Sequence, residues 1–234
     1  SMIVGSGSKF KISYAVKAGY INDKITLTEI DEKHTAAYWT ENVDKYTTNG
    51  YITMPDGDMT ITVSAEPDPN TPYQVEHYQE QLDGTFKLVE TENLKGTTDT
   101  TAIAEKKSYA NYHVDETQNA DWSGNIDGNG SRVLKVYYKL DTYTLTVNGL
   151  TITVKNDKYP QGQEKAIITG VEASGVGVVG SNGSYTVKVT AIVELSYNAN
   201  AVATGYQFTG WSATPNVAIS DNTTFEMPNN DLTI

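Results

Sequence analysis

The sequence predicts a mostly β protein, α+β in detail, divided into several small modules. Three observations carry this. Seven Asn-Gly or Asp-Gly dipeptides punctuate the chain, and both residue types tolerate the positive φ that tight hairpin turns need. Apolar residues alternate with polar ones at period two in several stretches, the pattern of strands with one buried face. An octapeptide, Met54-Pro55-Asp56-Gly57-Asp58-Met59-Thr60-Ile61, returns as Met227-Pro228-Asn229-Asn230-Asp231-Leu232-Thr233-Ile234, so related modules open and close the chain.

The elements follow in order. Residues 28–38 form a weak helix candidate ahead of the first octapeptide. Glu66-Pro67-Asp68-Pro69-Asn70-Thr71-Pro72 reads as a linker, since its prolines cannot donate to a ladder and favour extended backbone. A hairpin is expected at Asp83-Gly84, pairing Glu80 with Lys87, Tyr78 with Val89, and setting His77 opposite Glu90. Residues 100–109 contain Ala102, Ile103, Ala104, Glu105 and Lys106, the best helix formers in the chain. A two-residue turn at Asn148-Gly149 would pair Val147 with Leu150 and Leu145 with Ile152. Tyr185, Val187, Val189, Ala191, Val193 and Leu195 alternate as one long strand. Boundaries at the linker and near residues 139–141 yield modules at 9–66, 72–139 and 141–234. The last contains an atypical stretch at 155–184 that fits no repeat.

Composition removes several function classes. The chain has 234 residues with 17 basic and 29 acidic side chains, and Arg132 is its single arginine. Basic and acidic residues number 6 and 10 in residues 1–71, 7 and 11 in 72–140, and 4 and 8 in 141–234, so each third carries −4. No third offers the cationic patch that phosphate binding demands, which argues against nucleic acid as a partner. There is no cysteine, hence no disulfide, thiol nucleophile or Cys-ligated zinc. No apolar run is long enough for a spanning helix, so membrane insertion is not expected. Ser1-Met2 reads as a cloning remnant, and the second octapeptide stops at Ile234 as a segment cut from a longer repeating protein would.

Two sets of motifs carry a family likeness. Gly205-Tyr206-Gln207-Phe208-Thr209-Gly210-Trp211 followed by Phe225-Glu226-Met227-Pro228-Asn229-Asn230-Asp231-Leu232-Thr233 resembles the Listeria–Bacteroides repeat, or internalin B-repeat. The N-terminal copy keeps Trp39 and the Met-Pro-x-x-Asp-Met-Thr run but lacks G-Y-x-F-x-G. The middle stretch, Tyr73-Gln74-Val75-Glu76-His77-Tyr78, Leu82-Asp83-Gly84-Thr85-Phe86 and Leu134-Lys135-Val136-Tyr137-Tyr138, resembles a MucBP-type (mucin-binding-protein) repeat. These likenesses imply tandem small β-grasp-like modules in an elongated array. They also imply extracellular display, secreted or attached to a Gram-positive cell wall, with a role as stalk or adhesin. The class implies stabilisation by Lys–Asn isopeptide bonds. It supplies no catalytic residues.

Exposed aromatics stack on sugar rings and anchor partners, so Tyr78, Tyr112 and Trp122 of the middle module are the candidate ligand-binding residues. Trp39 and Trp211 recur in both outer modules and read as core. The expected partners are host glycans or glycoproteins, bound by a monomer within a longer multi-repeat chain. The acidic surface disfavours sialylated or sulfated ligands. An accessory carbohydrate-binding segment of a secreted carbohydrate-active enzyme is the alternative. Gly175-Val176-Gly177-Val178-Val179-Gly180 matches a dinucleotide fingerprint literally, but a long strand follows where a helix is required. Asp127-Gly128-Asn129-Gly130 and Asp56-Gly57-Asp58 offer oxygen ligands suited to Ca²⁺ yet lack the later bidentate acid of an EF-hand. They read as turns, and no other cofactor is indicated. His77 with Glu90 is a proton-transfer or pH-switch candidate weighed against an ordinary cross-strand pair. His34, His77 and His113 lack metal-ligand spacing, and no catalytic constellation is present, so no enzyme activity is expected.

Overall fold

In the computed structural model the period-two alternation becomes strand. The structure describes residues 2–29, 47–48, 51–148, 152–156, 168–169, 172–173, 178–180, 183–197, 199–221 and 223–234. The first strands are β1 (Lys9–Lys11), β2 (Tyr20–Glu29), β3 (Thr47–Thr48), β4 (Tyr51–Thr53) and β5 (Met59–Pro67). The middle of the chain supplies β6 (Thr71–Glu80), β7 (Phe86–Gly96), β8 (Thr101–Ile103), β9 (Tyr112–Val114), β10 (Ser123–Asn125) and β11 (Val133–Leu140). Then come β12 (Thr142–Val147), β13 (Ile152–Asn156), β14 (Ile168–Thr169), β15 (Glu172–Ala173), β16 (Val178–Gly180), β17 (Gly183–Lys188) and β18 (Ile192–Tyr197), followed by β19 (Thr224–Glu226) and β20 (Leu232–Thr233). The described helical structure is one 3₁₀ turn, Ala199–Ala201. The chain is mostly β, as its alternation predicts.

Contacts divide the chain into two compact units: Ser1–Gln74, Asn93–Ala102 and Ser123–Val133 form the first, and Val75–Glu92, Ile103–Trp122 and Leu134–Ile234 the second. In the first, β1, β4 and β3 make an antiparallel sheet, and β2 pairs with β5 through a register shift between Ile21 and Lys24. Leu27 and Ile52 are its buried centre, with Phe10, Ile25, Met59 and Ile61 packed around them. The proline-rich stretch is not a free linker. Pro67 ends β5 and Thr71 begins β6. Between them the Asp68 N–H donates to Gly19 O (2.8 Å) and the Thr98 N–H donates to Asp68 O (3.0 Å). Two backbones nearly touch here: a Cβ built on Gly128 would lie 1.9 Å from Ala18 O.

In the second unit, β11 alternates half-buried and buried side chains along its whole length. Leu134, Val136, Tyr138 and Leu140 point inward with Val75 and His77 of β6. The sheet order is β7-β6-β11-β9, with Tyr138 opposite Val114 and Leu140 opposite Tyr112. The 83–84 turn is one residue longer than expected. The Gln81 N–H donates to Thr85 O (2.7 Å) and the Gly84 N–H to Gln81 O (2.9 Å), with Gly84 at φ 84°. That is a three-residue loop with its glycine in the left-handed region. Asp83 fixes it by accepting from Thr85 N–H and Oγ1–H. The shift dissolves the expected Glu80–Lys87 pair. Glu80 is buried instead, taking Lys188 Nζ at 2.9 Å and the Leu140 N–H at 3.0 Å. This buried lysine faces a glutamate rather than the asparagine an isopeptide bond would need.

Residues 100–109 are not helical. Thr101 and Ile103 are exposed while Ala102 and Ala104 are buried, a strand alternation. β8 pairs with β10, and the Ala104 N–H donates to Trp122 O (2.8 Å). Tertiary pairing overrides helix propensity here, which amounts to tenths of a kcal/mol per residue. The other helix candidate, 28–38, has Thr28 and Glu29 in β2 and otherwise lies outside the described residues.

The C-terminal part packs two sheets, β14-β17-β12-β20 and β15-β16-β13-β18-β19. Residues 149–151 of the expected Asn148-Gly149 hairpin lie outside the described residues, and among the described ones β12 and β13 do not pair. β12 pairs antiparallel with β17 and parallel with β20, while β13 pairs with β16 and β18. The two strands belong to different sheets. The alternating run 185–195 is divided in the same way: it breaks at Thr190, whose φ is 67°, into β17 and β18. Its buried face survives the break, because Tyr185, Val187, Ala191, Val193 and Leu195 all line one core with Leu145, Phe225, Met227 and Leu232. The two octapeptides occupy similar local settings, each bridging a short strand to the next through a five-residue link. Val178–Gly180 of the glycine-rich run are strand β16, and the next element is strand β17 where a dinucleotide fingerprint needs a helix; residues 175–177 lie outside the described ones.

Candidate functional site

Strand geometry dictates which aromatics can meet a ligand. In β11 Tyr138 points inward, fully buried, so Tyr137 must point outward. In β6 His77 is inward and Tyr78 outward by the same rule. On that outer face Tyr78 and Tyr137 stack with centroids 5.0 Å apart at 21°, and Phe86 meets Tyr137 edge-on at 5.2 Å. All three are half-buried. Two opposite charges frame them. The Tyr78 hydroxyl donates to Glu76 at 2.7 Å, and Lys135 Nζ lies 5.9 Å from the Tyr78 ring centre. The Glu76 hydrogen bond, helped by burial, pushes the Tyr78 phenol up to about 12, so it stays protonated. The result is a rigid aromatic platform with one donor-directed carboxylate and one cation at its rim.

The other two expected residues stand apart, since no ring contact among the described residues joins them to Tyr78. Tyr112, in β9, is half-buried and spends its hydroxyl on Glu80 O at 3.3 Å. Trp122 is half-buried under Lys106, whose Nζ sits 3.7 Å from a ring centre while also pairing with Glu116. Its Nε1 is buried without a hydrogen-bond partner. Of the three, the structure places Tyr78 in an aromatic cluster and adds Tyr137 and Phe86, which the sequence reading passed over. The parity of Val136, Tyr137 and Tyr138 carried the signal for Tyr137.

Behind the platform lies a polar network centred on the buried His77 and Tyr138. His77 bonds Tyr138 Oη through Nδ1 and Glu92 Oε2 through Nε2, each at 3.0 Å. Its acid partner is Glu92, and not the Glu90 that the expected hairpin set opposite it. Glu90 pairs with Lys107 and accepts from Tyr109 Oη. Lys107 holds both Glu90 and Glu92 below the usual carboxylate range, with bonds from Tyr109 and His77 adding to this. The two carboxylates raise Lys107 in return. Burial, then the Glu90 bond, raises Tyr109. Each member is partnered within the protein, and His77 is fully buried.

The turn at 127–130 is closed by protein groups. Arg132 donates to Asn125 O (2.7 Å) and pairs with Asp127 (3.3 Å), and Asn129 accepts from the Ser131 N–H. The lone arginine is thus a staple for this loop. Among the described residues no three His, Asp or Glu gather as a metal site.

No family model matches this chain, and no curated protein matches it. Among solved structures, the Bacillus anthracis TIE protein is similar at 14% identity over 78% of this chain, with a TM-score of 0.30. The chain spans 40% of that protein's length. A likeness at that score carries no argument about fold or function.

Proposed function

We propose that this chain is a non-enzymatic extracellular repeat segment of a bacterial cell-surface protein, acting as stalk and/or adhesin toward host glycans or glycoproteins. In this reading residues 9–66, 72–139 and 141–234 are tandem β-grasp-like modules of a longer array. The observation that carries it is the outward Tyr78–Tyr137–Phe86 platform. Stacked phenols on a rigid sheet offer apolar faces to sugar C–H groups at low conformational cost. A single platform binds weakly, and repetition along an array multiplies it. The net charge of −12 repels anionic ligands and leaves neutral glycans favoured.

The test is binding of the protein to arrayed glycans and host glycoproteins, alongside Tyr78→Ala, Tyr112→Ala and Trp122→Ala. The reading expects neutral glycans to be retained, with Tyr78→Ala weakening them at least ~10-fold, as for a central aromatic anchor. Binding confined to plant or wall polysaccharides would favour an accessory segment of a carbohydrate-active enzyme. No binding to any glycan or glycoprotein removes the adhesin role. The stalk role is tested by solution scattering, where a globular maximum dimension refutes it.

A further inference from the structure

The motif that resembled the internalin repeat builds a second feature, in the C-terminal part. A cleft of about 270 Å³ is bounded by Gln207, Phe208, Thr209, Trp211 and Ser212, with Asn148 beyond the end of β12. Its walls are two aromatic rings, and its polar groups are amides and hydroxyls; no ionisable side chain lines it. The rings are held. Phe208 stacks on Tyr197 with centroids 4.0 Å apart at 22° and meets Trp211 edge-on at 4.9 Å. Trp211 leans on the core of Leu145, Phe225 and Leu232. The backbone frame is also pinned. The Asn148 N–H donates to Ile234 O and the Ile234 N–H to Thr146 O, both at 2.8 Å. Thr214 and Thr233 exchange two more bonds at 2.8 and 2.9 Å.

We propose that this cleft is a second carbohydrate site, taking one neutral pyranose ring. Clefts for drug-sized ligands run from roughly 300 Å³ upward, so this one admits a single ring. A pyranose has an apolar C–H face to lay on Phe208 or Trp211 and hydroxyls around its edge for Asn148, Gln207, Thr209 and Ser212. These side chains both donate and accept, which is what a sugar hydroxyl requires. With no cation in the lining and an acidic chain around it, a carboxylated or sulfated sugar has nothing to balance its charge. Trp211 therefore serves both as core and as wall. The inference rests on the adhesin reading only in expecting a sugar; the residues are separate from the Tyr78 platform.

The experiment uses the whole chain, isotope-labelled, titrated with methyl pyranosides of neutral sugars and with sialic acid as the anionic control. Its three tryptophans give three indole N–H signals, and Trp211→Phe identifies the one in the cleft. The expected result is a saturable shift of the Trp211 signal by a neutral pyranoside, with affinity on the order of millimolar. Gln207→Ala with Ser212→Ala, both outside the core, weakens it at least ~5-fold, while Tyr78→Ala leaves it unchanged. A silent Trp211 signal at about 50 mM sugar, an affinity below any useful range, overturns the proposal. Equal binding by the double variant, or equal binding of sialic acid, overturns it too. Array binding that Tyr78→Ala abolishes, with a silent Trp211, removes the cleft and leaves the adhesin reading standing. A responsive Trp211 with Tyr78→Ala without effect on the array upholds the cleft and removes the platform.

Discussion

Lys188→Met isolates the buried ion pair on which the second unit turns. Glu80 is 8% exposed and Lys188 7%. The carboxylate has two partners, Lys188 Nζ at 2.9 Å and the Leu140 N–H at 3.0 Å. Removing the ammonium leaves a buried carboxylate with one backbone donor, a loss of about 3–5 kcal/mol by analogy with other broken buried pairs. Glu80→Gln has a similar cost, because it strands the ammonium. The double variant Lys188→Met, Glu80→Gln removes both charges and keeps an acceptor for Leu140. It is expected to lose only about 1–2 kcal/mol, so the double-mutant cycle returns a coupling of at least ~4 kcal/mol. Urea unfolding read by near-ultraviolet circular dichroism measures each. With a slope of about 2 kcal/mol per M, the single variants shift the midpoint down by roughly 1.5–2.5 M. Hydrogen exchange at the Leu140 amide accelerates in parallel. Single-variant losses under about 1 kcal/mol, in the range of exposed pairs, or strict additivity in the cycle would refute the reasoning.

Other outcomes follow from the same contacts. Glu90 and Glu92 sit below their ordinary value through Lys107. Burial alone would raise Asp115, but bonds from Thr117, Gln118 and Lys139 outweigh it and hold it far down. Depressed carboxylates stabilise the fold above their unfolded pKa and lose that contribution as pH falls through the folded one. The melting temperature should therefore drop below about pH 4, and Glu92→Gln should flatten that slope; a melting curve insensitive to acid contradicts this. Gly128→Ala pushes a methyl into Ala18 O and should cost about 1–3 kcal/mol in the first unit, read by limited proteolysis near Pro67. Gly84→Ala places a side chain at φ 84° and should cost about 1 kcal/mol, read by thermal melting.

Face assignment was legible in the sequence because it depends on parity alone. Leu145, Val147, Tyr185, Val187, Val193 and Leu195 are buried as their alternation predicts. Partner choice was not, because it depends on residues far along the chain. Asn148-Gly149 has a hairpin's composition, yet β12 finds β17 and β20 while β13 finds β16 and β18. Ala102 and Ala104 favour a helix locally, but the Ala104 N–H is claimed by Trp122 O. Glu92 stands beside His77 where the expected hairpin set Glu90, and Lys188, 108 residues along the chain, pairs with Glu80 in place of Lys87. Of the site, Tyr78 could be read from the sequence and Tyr137 could have been. The Phe208–Trp211 cleft could not, since Asn148 joins it from some sixty residues away.

The most direct test of the account is a calorimetric titration of the best glycan from the array, run at low and high salt. Binding through aromatic faces to a neutral sugar predicts one affinity at both, because screening acts only on charges, and its loss in Tyr78→Ala. Affinity that collapses with salt, or that survives Tyr78→Ala unchanged, would contradict the aromatic platform as the basis of adhesion.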